Sequence, residues 1–234
     1  MTMAKFISQD TYLQSKVECD SLQEMMSIFR KNLKPDGVRN RAYLKLCWQR
    51  KNNKCQISQN QNYFQSAESN YADGGKVRNF ATMDFRILEL PVMKKLLQKN
   101  TTLIKNFDAL KNHEELTLGL HFIQYKADPE HASYSSPAWL HRDDEPLVFV
   151  HLLHLSDNAL GGDNLIANLK SKEVEKVIRL EKPMETLLLT RDYLHAVTPL
   201  GSRAGVATRD ILLFTVEPAA TQINHKDNSK ELAS

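Results

Sequence analysis

Leu116-Thr-Leu-Gly-Leu-His-Phe-Ile123 places Leu116, Leu118, Leu120 and Phe122 in alternation with Thr117, Gly119, His121 and Ile123. A period of two is that of a strand with one face against a core. The stretch also marks where the chain changes character. Beyond it, short extended runs are expected at 138–142, 147–155, 163–168, 185–190, 193–198 and 208–216, punctuated by Gly161-Gly162, Lys182-Pro183, Pro199-Leu200-Gly201 and Gly205. Short strands at this spacing predict a sandwich or barrel.

Toward the N-terminus the period lengthens. Leu22, Met25, Met26 and Phe29 recur at helical spacing, which predicts a helix over 11–33 stopped by Lys34-Pro35-Asp36-Gly37. Leu44, Leu46 and Trp48 alternate as a half-buried strand. Residues 50–75 are polar, end in Asp73-Gly74-Gly75, and read as a long excursion with little core of its own. A second helix is expected from Pro91 to Phe107, with proline at a first-turn position. The whole reads as α+β, with a helical layer on a β core that starts at about 116. One domain is expected over 1–234: a helical segment at 1–40, the main region at about 40–217, and a polar, frayed tail over 218–234.

Composition narrows the partners. A net charge of +3, with 41% hydrophobic and 25% charged residues, describes an ordinary globular chain. It offers no dedicated surface for nucleic acid or for a polybasic membrane contact. The longest apolar run, Leu147 to Leu155, is too short to span a bilayer and holds two histidines. Met1-Thr-Met-Ala-Lys-Phe shows no apolar signal core, and Cys19, Cys47 and Cys55 form no zinc spacing. The expectation is a cytoplasmic protein with free thiols.

His141-Arg-Asp143 and, further along, His195 carry the chemistry. Two imidazoles and a carboxylate can hold one face of an Fe(II) ion and leave the other open. On a strand, His141 and Asp143 would share a face. With 8 His and 14 Asp in 234 residues, a chance His-x-Asp pair arises in about every second such chain. Spacing therefore leaves two readings open: a metal triad, or a surface pair plus a core histidine. His151 and His154 would point to opposite sides of a strand, and His121 is the histidine placed to line a pocket. Arg209 opens the apolar run Ile211-Leu-Leu-Phe214, where a guanidinium is costly unless it meets an anion or reaches water. Arg203, in Gly-Ser-Arg-Ala-Gly, is the alternative.

Four blocks resemble the bacterial Fe(II)/2-oxoglutarate-dependent free L-amino-acid hydroxylases of the L-isoleucine 4-dioxygenase type. They are Tyr63-Phe-Gln-Ser with Tyr71-Ala-Asp-Gly-Gly-Lys-Val-Arg78; Ser135-Ser-Pro-Ala-Trp-Leu-His-Arg-Asp-Asp-Glu-Pro146; Gly161-Gly-Asp-Asn-Leu-Ile-Ala-Asn168; and His195-Ala-Val-Thr-Pro-Leu-Gly201 with Arg209-Asp-Ile-Leu-Leu213. The resemblance runs from about residue 40 to 217. It implies a double-stranded β-helix (jelly-roll) core with the N-terminal helices packed against it. It implies Fe(II) on His141, Asp143 and His195, with O2 and with 2-oxoglutarate as co-substrate. Arg209 would hold the distal carboxylate of 2-oxoglutarate. Gln124 stands where an arginine is expected in some relatives.

A free amino acid needs a cation for its carboxylate and an acceptor for its ammonium. Lys76 and Arg78 after Gly74-Gly75 are candidates for the first, and Asp144 or Glu145 for the second; each also reads as a solvated charge. Asn164 could offer an amide to 2-oxoglutarate or to substrate, or cap a turn. Three rivals stay open: the same chemistry on a peptide or other metabolite, a zinc hydrolase on the same ligands, and a jelly-roll binding protein without turnover.

Overall fold

A computed structural model describes residues 4–70 and 74–219. The expected tail from 218 lies outside these residues beyond Ala219, as do Tyr71, Ala72 and Asp73 of one resembling block. In chain order the elements are β1 (Lys5–Ile7), α1 (Lys16–Asn32), β2 (Lys34–Asp36), β3 (Arg39–Gln49), β4 (Lys54–Ile57), β5 (Tyr63–Gln65), β6 (Lys76–Arg78), α2 (Pro91–Lys105), β7 (Glu115–Ala127), β8 (Leu147–Leu155), β9 (Ala159–Gly161), β10 (Asn164–Asn168), β11 (Val174–Ile178), β12 (Thr186–Thr190), β13 (Tyr193–Val197), β14 (Leu200–Ser202) and β15 (Ala207–Pro218).

The main sheet is antiparallel, in the order β1-β12-β8-β15-β7-β3-β2, with β4 paired to β3. A smaller sheet runs β11-β10-β13, and β9-β14 and β5-β6 form two ribbons. The alternation read at 116–123 sets the layers. Leu116, Leu118, Leu120 and Phe122 join Leu44, Leu46, Trp48, Leu212 and Phe214 in a core shared with Met25 and Phe29 of α1 and Met93 and Leu96 of α2. The other face sends Ile123, Tyr125, Val150, Leu189 and Ile211 into a second core with Ile166 and Ile178 of the small sheet. Helices thus cover one face of the main sheet and the small sheet faces the other, an α+β arrangement that fits a jelly-roll core.

Four expectations need correction. First, α1 begins at Lys16 rather than residue 11, because Ser15 and Glu18 form a reciprocal capping box. Second, residues 138–142 are not a strand: His141 makes a single antiparallel bridge to His195, and Trp139 and Leu140 lie in a bend. Prolines at 137 and 146 and the charged run Arg142 to Glu145 leave no ladder to extend. Third, the 50–75 excursion carries β4 and β5 and buries Tyr63, Gln65 and Asn70. It is a wall of the site described next. Strand β3 also starts five residues before the expected Leu44, since Arg39 and Arg41 face a cavity rather than solvent. No helix among the described residues is long and apolar enough to cross a membrane.

Candidate metal centre and active site

His195 lies on β13 of the small sheet, and His141 is tied to it by two backbone hydrogen bonds, His141 N–H to His195 O at 2.9 Å and His195 N–H to His141 O at 2.8 Å. That single bridge brings the loop 138–145 to the strand. The two rings sit 4.2 Å apart, centroid to centroid. Asp143 reaches between them: its Oδ1 is 3.6 Å from His141 Nε2 and its Oδ2 is 3.4 Å from His195 Nε2. One donor atom from each of the three lies within 4.8 Å of the others. His141 Nδ1 is 2.9 Å from the Trp139 carbonyl, which fixes the ring and leaves Nε2 for the centre.

Charge states suit a cation. Burial pulls the His195 imidazole down to about 4, so its lone pair is free at neutral pH. Burial also pulls His141 down, but the hydrogen bond and charge of Asp143 outweigh it and leave the imidazole raised. Burial would raise Asp143, yet the two histidines hold it below the usual carboxylate range. Two imidazoles and an ionised carboxylate, converging from one side, fit a divalent iron, which would bind with release of any proton on His141.

The cluster opens on a cavity walled by side chains from the main sheet, the small sheet and the 50–75 excursion. Arg209 lines it from β15 and is 3% exposed. Its Nη2 has no hydrogen-bond partner among the described residues, and its guanidinium lies 5.9 Å from the Tyr125 ring centroid. A buried guanidinium with an open donor fits an anion such as a dicarboxylate. Gly162 makes room for it: at φ +76°, an added Cβ would come within 3.0 Å of Arg209 Cδ. Arg179 pins this turn through the carbonyls of Gly161 and Ala159 and through Asp163 Oδ1 at 3.2 Å. Arg203, the alternative, is exposed and outside the lining. Asn164 lines the cavity from β10, while its Nδ2 donates to Ile178 O at 2.9 Å.

The softer candidates divide. Arg78 and His121 line the cavity; Lys76 is exposed on β6 and Asp144 is not part of the lining. Asp144 instead accepts from Ser66 N–H at 2.6 Å, Ser66 Oγ at 2.8 Å and Ser69 Oγ at 2.6 Å, clamping the excursion to the metal loop. Glu145 is the buried acid of the pair, 3.3 Å from the Tyr63 hydroxyl that donates to it. Burial, then the charge of Asp143, push its carboxyl up to about 8. His151 sits in the helix-side core between Asn100 and Thr186, away from the cavity. Gln124 lies outside the lining and donates to Asp210 Oδ1 at 2.9 Å.

Sequence reasoning missed Arg39, Arg41, Tyr63 and Gln65 in the lining. Arg39 and Arg41 stand two apart ahead of an apolar alternation, the same pattern that singled out Arg209. That pattern was the available signal.

The sequence profile of the 2OG-Fe dioxygenase family matches residues 29–215. The chain is 45% identical over 160 residues to L-isoleucine-4-hydroxylase of Bacillus thuringiensis, covering 68% of this chain and 66% of that protein. It is 39% identical over 157 residues to 3(1)-hydroxy-L-isoleucine 4-dioxygenase of Pantoea ananatis (strain AJ13355), covering 66% and 63%. The match thus spans just under two thirds of those relatives. The crystal structure of IDO from Bacillus thuringiensis superposes with a TM-score of 0.83 at 36% identity, over 92% of this chain and 94% of that one.

Proposed function

The chain belongs to the 2OG-Fe dioxygenase family, and we propose that it hydroxylates, or sulfoxidises, a free aliphatic or thioether L-amino acid such as leucine, isoleucine or methionine. 2-Oxoglutarate and O2 are consumed, and succinate and CO2 are released. The observation that carries the reading is one cavity holding both the His141, Asp143, His195 cluster and the buried, partly unpartnered Arg209. The names of the relatives, which act on isoleucine and hydroxy-isoleucine, support the substrate class.

In this reading His141, Asp143 and His195 hold Fe(II), Arg209 pairs the distal carboxylate of 2-oxoglutarate, and Asn164 contributes to the same pocket wall. When bound, the iron and 2-oxoglutarate supply the oxidising chemistry, one oxygen atom of O2 ending in succinate and the other in the product. The protein supplies position and exclusion of water. Ile123, Val150, Leu189 and Ile211 give the cavity an apolar wall, which suits an aliphatic side chain. The Asp144 clamp keeps the excursion over it. A cavity walled from both sheets and from the 50–75 excursion favours a free amino acid over a peptide, which needs an open groove.

The test is succinate release by anaerobically purified protein given Fe(II), 2-oxoglutarate, ascorbate and air, with each free L-amino acid added singly. Stimulation by particular aliphatic or thioether amino acids, with a product heavier by one oxygen atom, is expected. Succinate release that no amino acid stimulates would overturn the substrate assignment.

A further inference from the structure

The cavity has a second cationic side, formed by Arg41 and Arg78, besides Arg209. Strand register shows the separation. Arg39 pairs with Tyr125 and Tyr125 with Arg209, so β3 and β15 flank β7; Arg41 stands one row on, opposite Ile123. Two strand spacings, about 9.6 Å, therefore part the Arg41 backbone from that of β15. Both arginines line the same cavity.

Arg41 is buried, and its Nε and Nη1 have no hydrogen-bond partner among the described residues. Its ion pair to Asp36 Oδ2, at 3.6 Å, is longer than a hydrogen bond, and Arg39 holds the same oxygen at 3.1 Å. Arg78 comes close as well. The guanidinium of Arg41 lies 4.5 Å from the Phe80 ring centroid and that of Arg78 lies 5.4 Å from it. Arg78 Nη2 donates to Gln65 Oε1 at 3.1 Å, while its Nε is buried without a partner among the described residues. Two guanidinium groups on one ring repel each other, and a desolvated charge with open donors is costly. Burial and the neighbouring Arg39 charge pull the Arg41 guanidinium down to about 10. An anion between the pair relieves all of these costs.

The distance to the metal ligands suits a small zwitterion. Tyr63 spans it: its ring centroid is 5.0 Å from the Arg78 guanidinium, and its hydroxyl donates to Glu145, two residues from Asp143. The gap between anion seat and metal loop is thus about one side chain, the reach of an amino acid from its carboxylate to its side-chain end.

We propose that Arg41, with Arg78 beside it, binds the α-carboxylate of the amino-acid substrate, and that the enzyme therefore requires that carboxylate to be free. This deepens the amino-acid reading above and rests on it. Arg41 is a binding and specificity residue, separate from the arginine assigned to 2-oxoglutarate.

The test is equilibrium binding of L-isoleucine, L-leucine and L-methionine, and of their carboxamides, to the anaerobic protein loaded with Fe(II) and 2-oxoglutarate. Wild type is expected to favour acid over amide by about 30-fold or more, the scale of a lost buried charge pair. Arg41→Met is expected to remove most of that preference by weakening acid binding, with 2-oxoglutarate affinity within about two-fold of wild type; Arg41→Lys should keep part of it. Arg78→Met should act in the same direction with a smaller effect. Arg41→Met that keeps the acid–amide preference, or that weakens 2-oxoglutarate instead, would overturn the proposal while leaving the reaction assignment intact. Wild type that binds amide as tightly as acid would also overturn it, whether or not the variants fold. Wild type that binds none of the three amino acids would sink the amino-acid reading itself, and the anchor with it.

Discussion

At the scale of single residues, Arg209 and Arg203 separate two roles that the sequence left open. Both follow His195 and both are arginines, but one is buried against Tyr125 and the other is exposed. Arg209→Ala is expected to raise the KM for 2-oxoglutarate about 30-fold or more, since truncating one partner of a buried charge pair costs about 2–5 kcal/mol. Arg203→Ala should leave that KM within two-fold. Steady-state kinetics with 2-oxoglutarate varied at saturating amino acid decides it, and a larger effect at Arg203 would reverse the assignment. Arg209 was legible because an arginine opening an apolar strand demands a partner. Arg41 has the same signature, but the expected strand began only at Leu44, beyond it.

At the scale of elements, two polar clusters hold pieces together. Asp144 joins the 50–75 excursion to the metal loop through three hydrogen bonds from Ser66 and Ser69. Asp144→Ala should expose residues 58–70 to limited proteolysis and raise the amino-acid KM about tenfold, on the scale of one lost charged hydrogen bond. Unchanged cleavage would mean that the clamp is unimportant. In the helix-side core, Tyr12 donates to Asn100 Oδ1 at 2.9 Å, Asn100 Nδ2 meets His151 Nε2 at 2.9 Å, and His151 Nδ1 meets Thr186 Oγ1 at 2.6 Å. The chain ties α2 to β8 and β12. Burial pushes the His151 imidazole down to about 3, from an ordinary value near 6.5. The unfolded chain then binds a proton that the folded chain refuses. This contribution is fully present above about pH 6.5 and is lost progressively as pH falls toward 3. His151→Leu should therefore flatten the fall of unfolding free energy below pH 6.5 by about 1.4 kcal/mol per pH unit. It should also lower stability at pH 7 by about 1–3 kcal/mol, because Asn100 loses a partner. Urea denaturation across pH reads both effects; a slope equal to wild type would place the acid sensitivity elsewhere, at His195 for instance.

For the whole molecule, the proposed metal ligands come from a loop and from the small sheet, while Arg209 and most of the apolar lining come from the main sheet. Ligands bound between the sheets stabilise only the folded arrangement. At 100 times its Kd, one such ligand adds about 2.7 kcal/mol, worth roughly 5–10 °C in Tm for a chain of this size. Anaerobic Fe(II) should give a rise of that order in calorimetry. Asp143→Ala should abolish both the rise and Fe(II)-dependent succinate formation; a variant that still responds would show that the triad is misassigned.

The sequence by itself determined the layers and the chemistry. Period-two alternation at 116–123 set which face of β7 meets the helices, because a strand allows its side chains only two directions. The residue types of His141, Asp143, His195 and Arg209 carry their own ligand and anion chemistry wherever the chain places them. Only the tertiary structure decided how these residues meet. His141 and Asp143 converge through a loop held by one bridge to β13, a long-range contact with no local period to betray it. The same holds for the excursion at 50–75, whose polar composition read as solvent-facing until Tyr63 and Gln65 were buried against side chains from distant strands. Whether a charge such as Arg41 or Asp144 faces water, a ligand or another loop depends on which surfaces fold over it, and that is a property of the packed chain rather than of its local sequence.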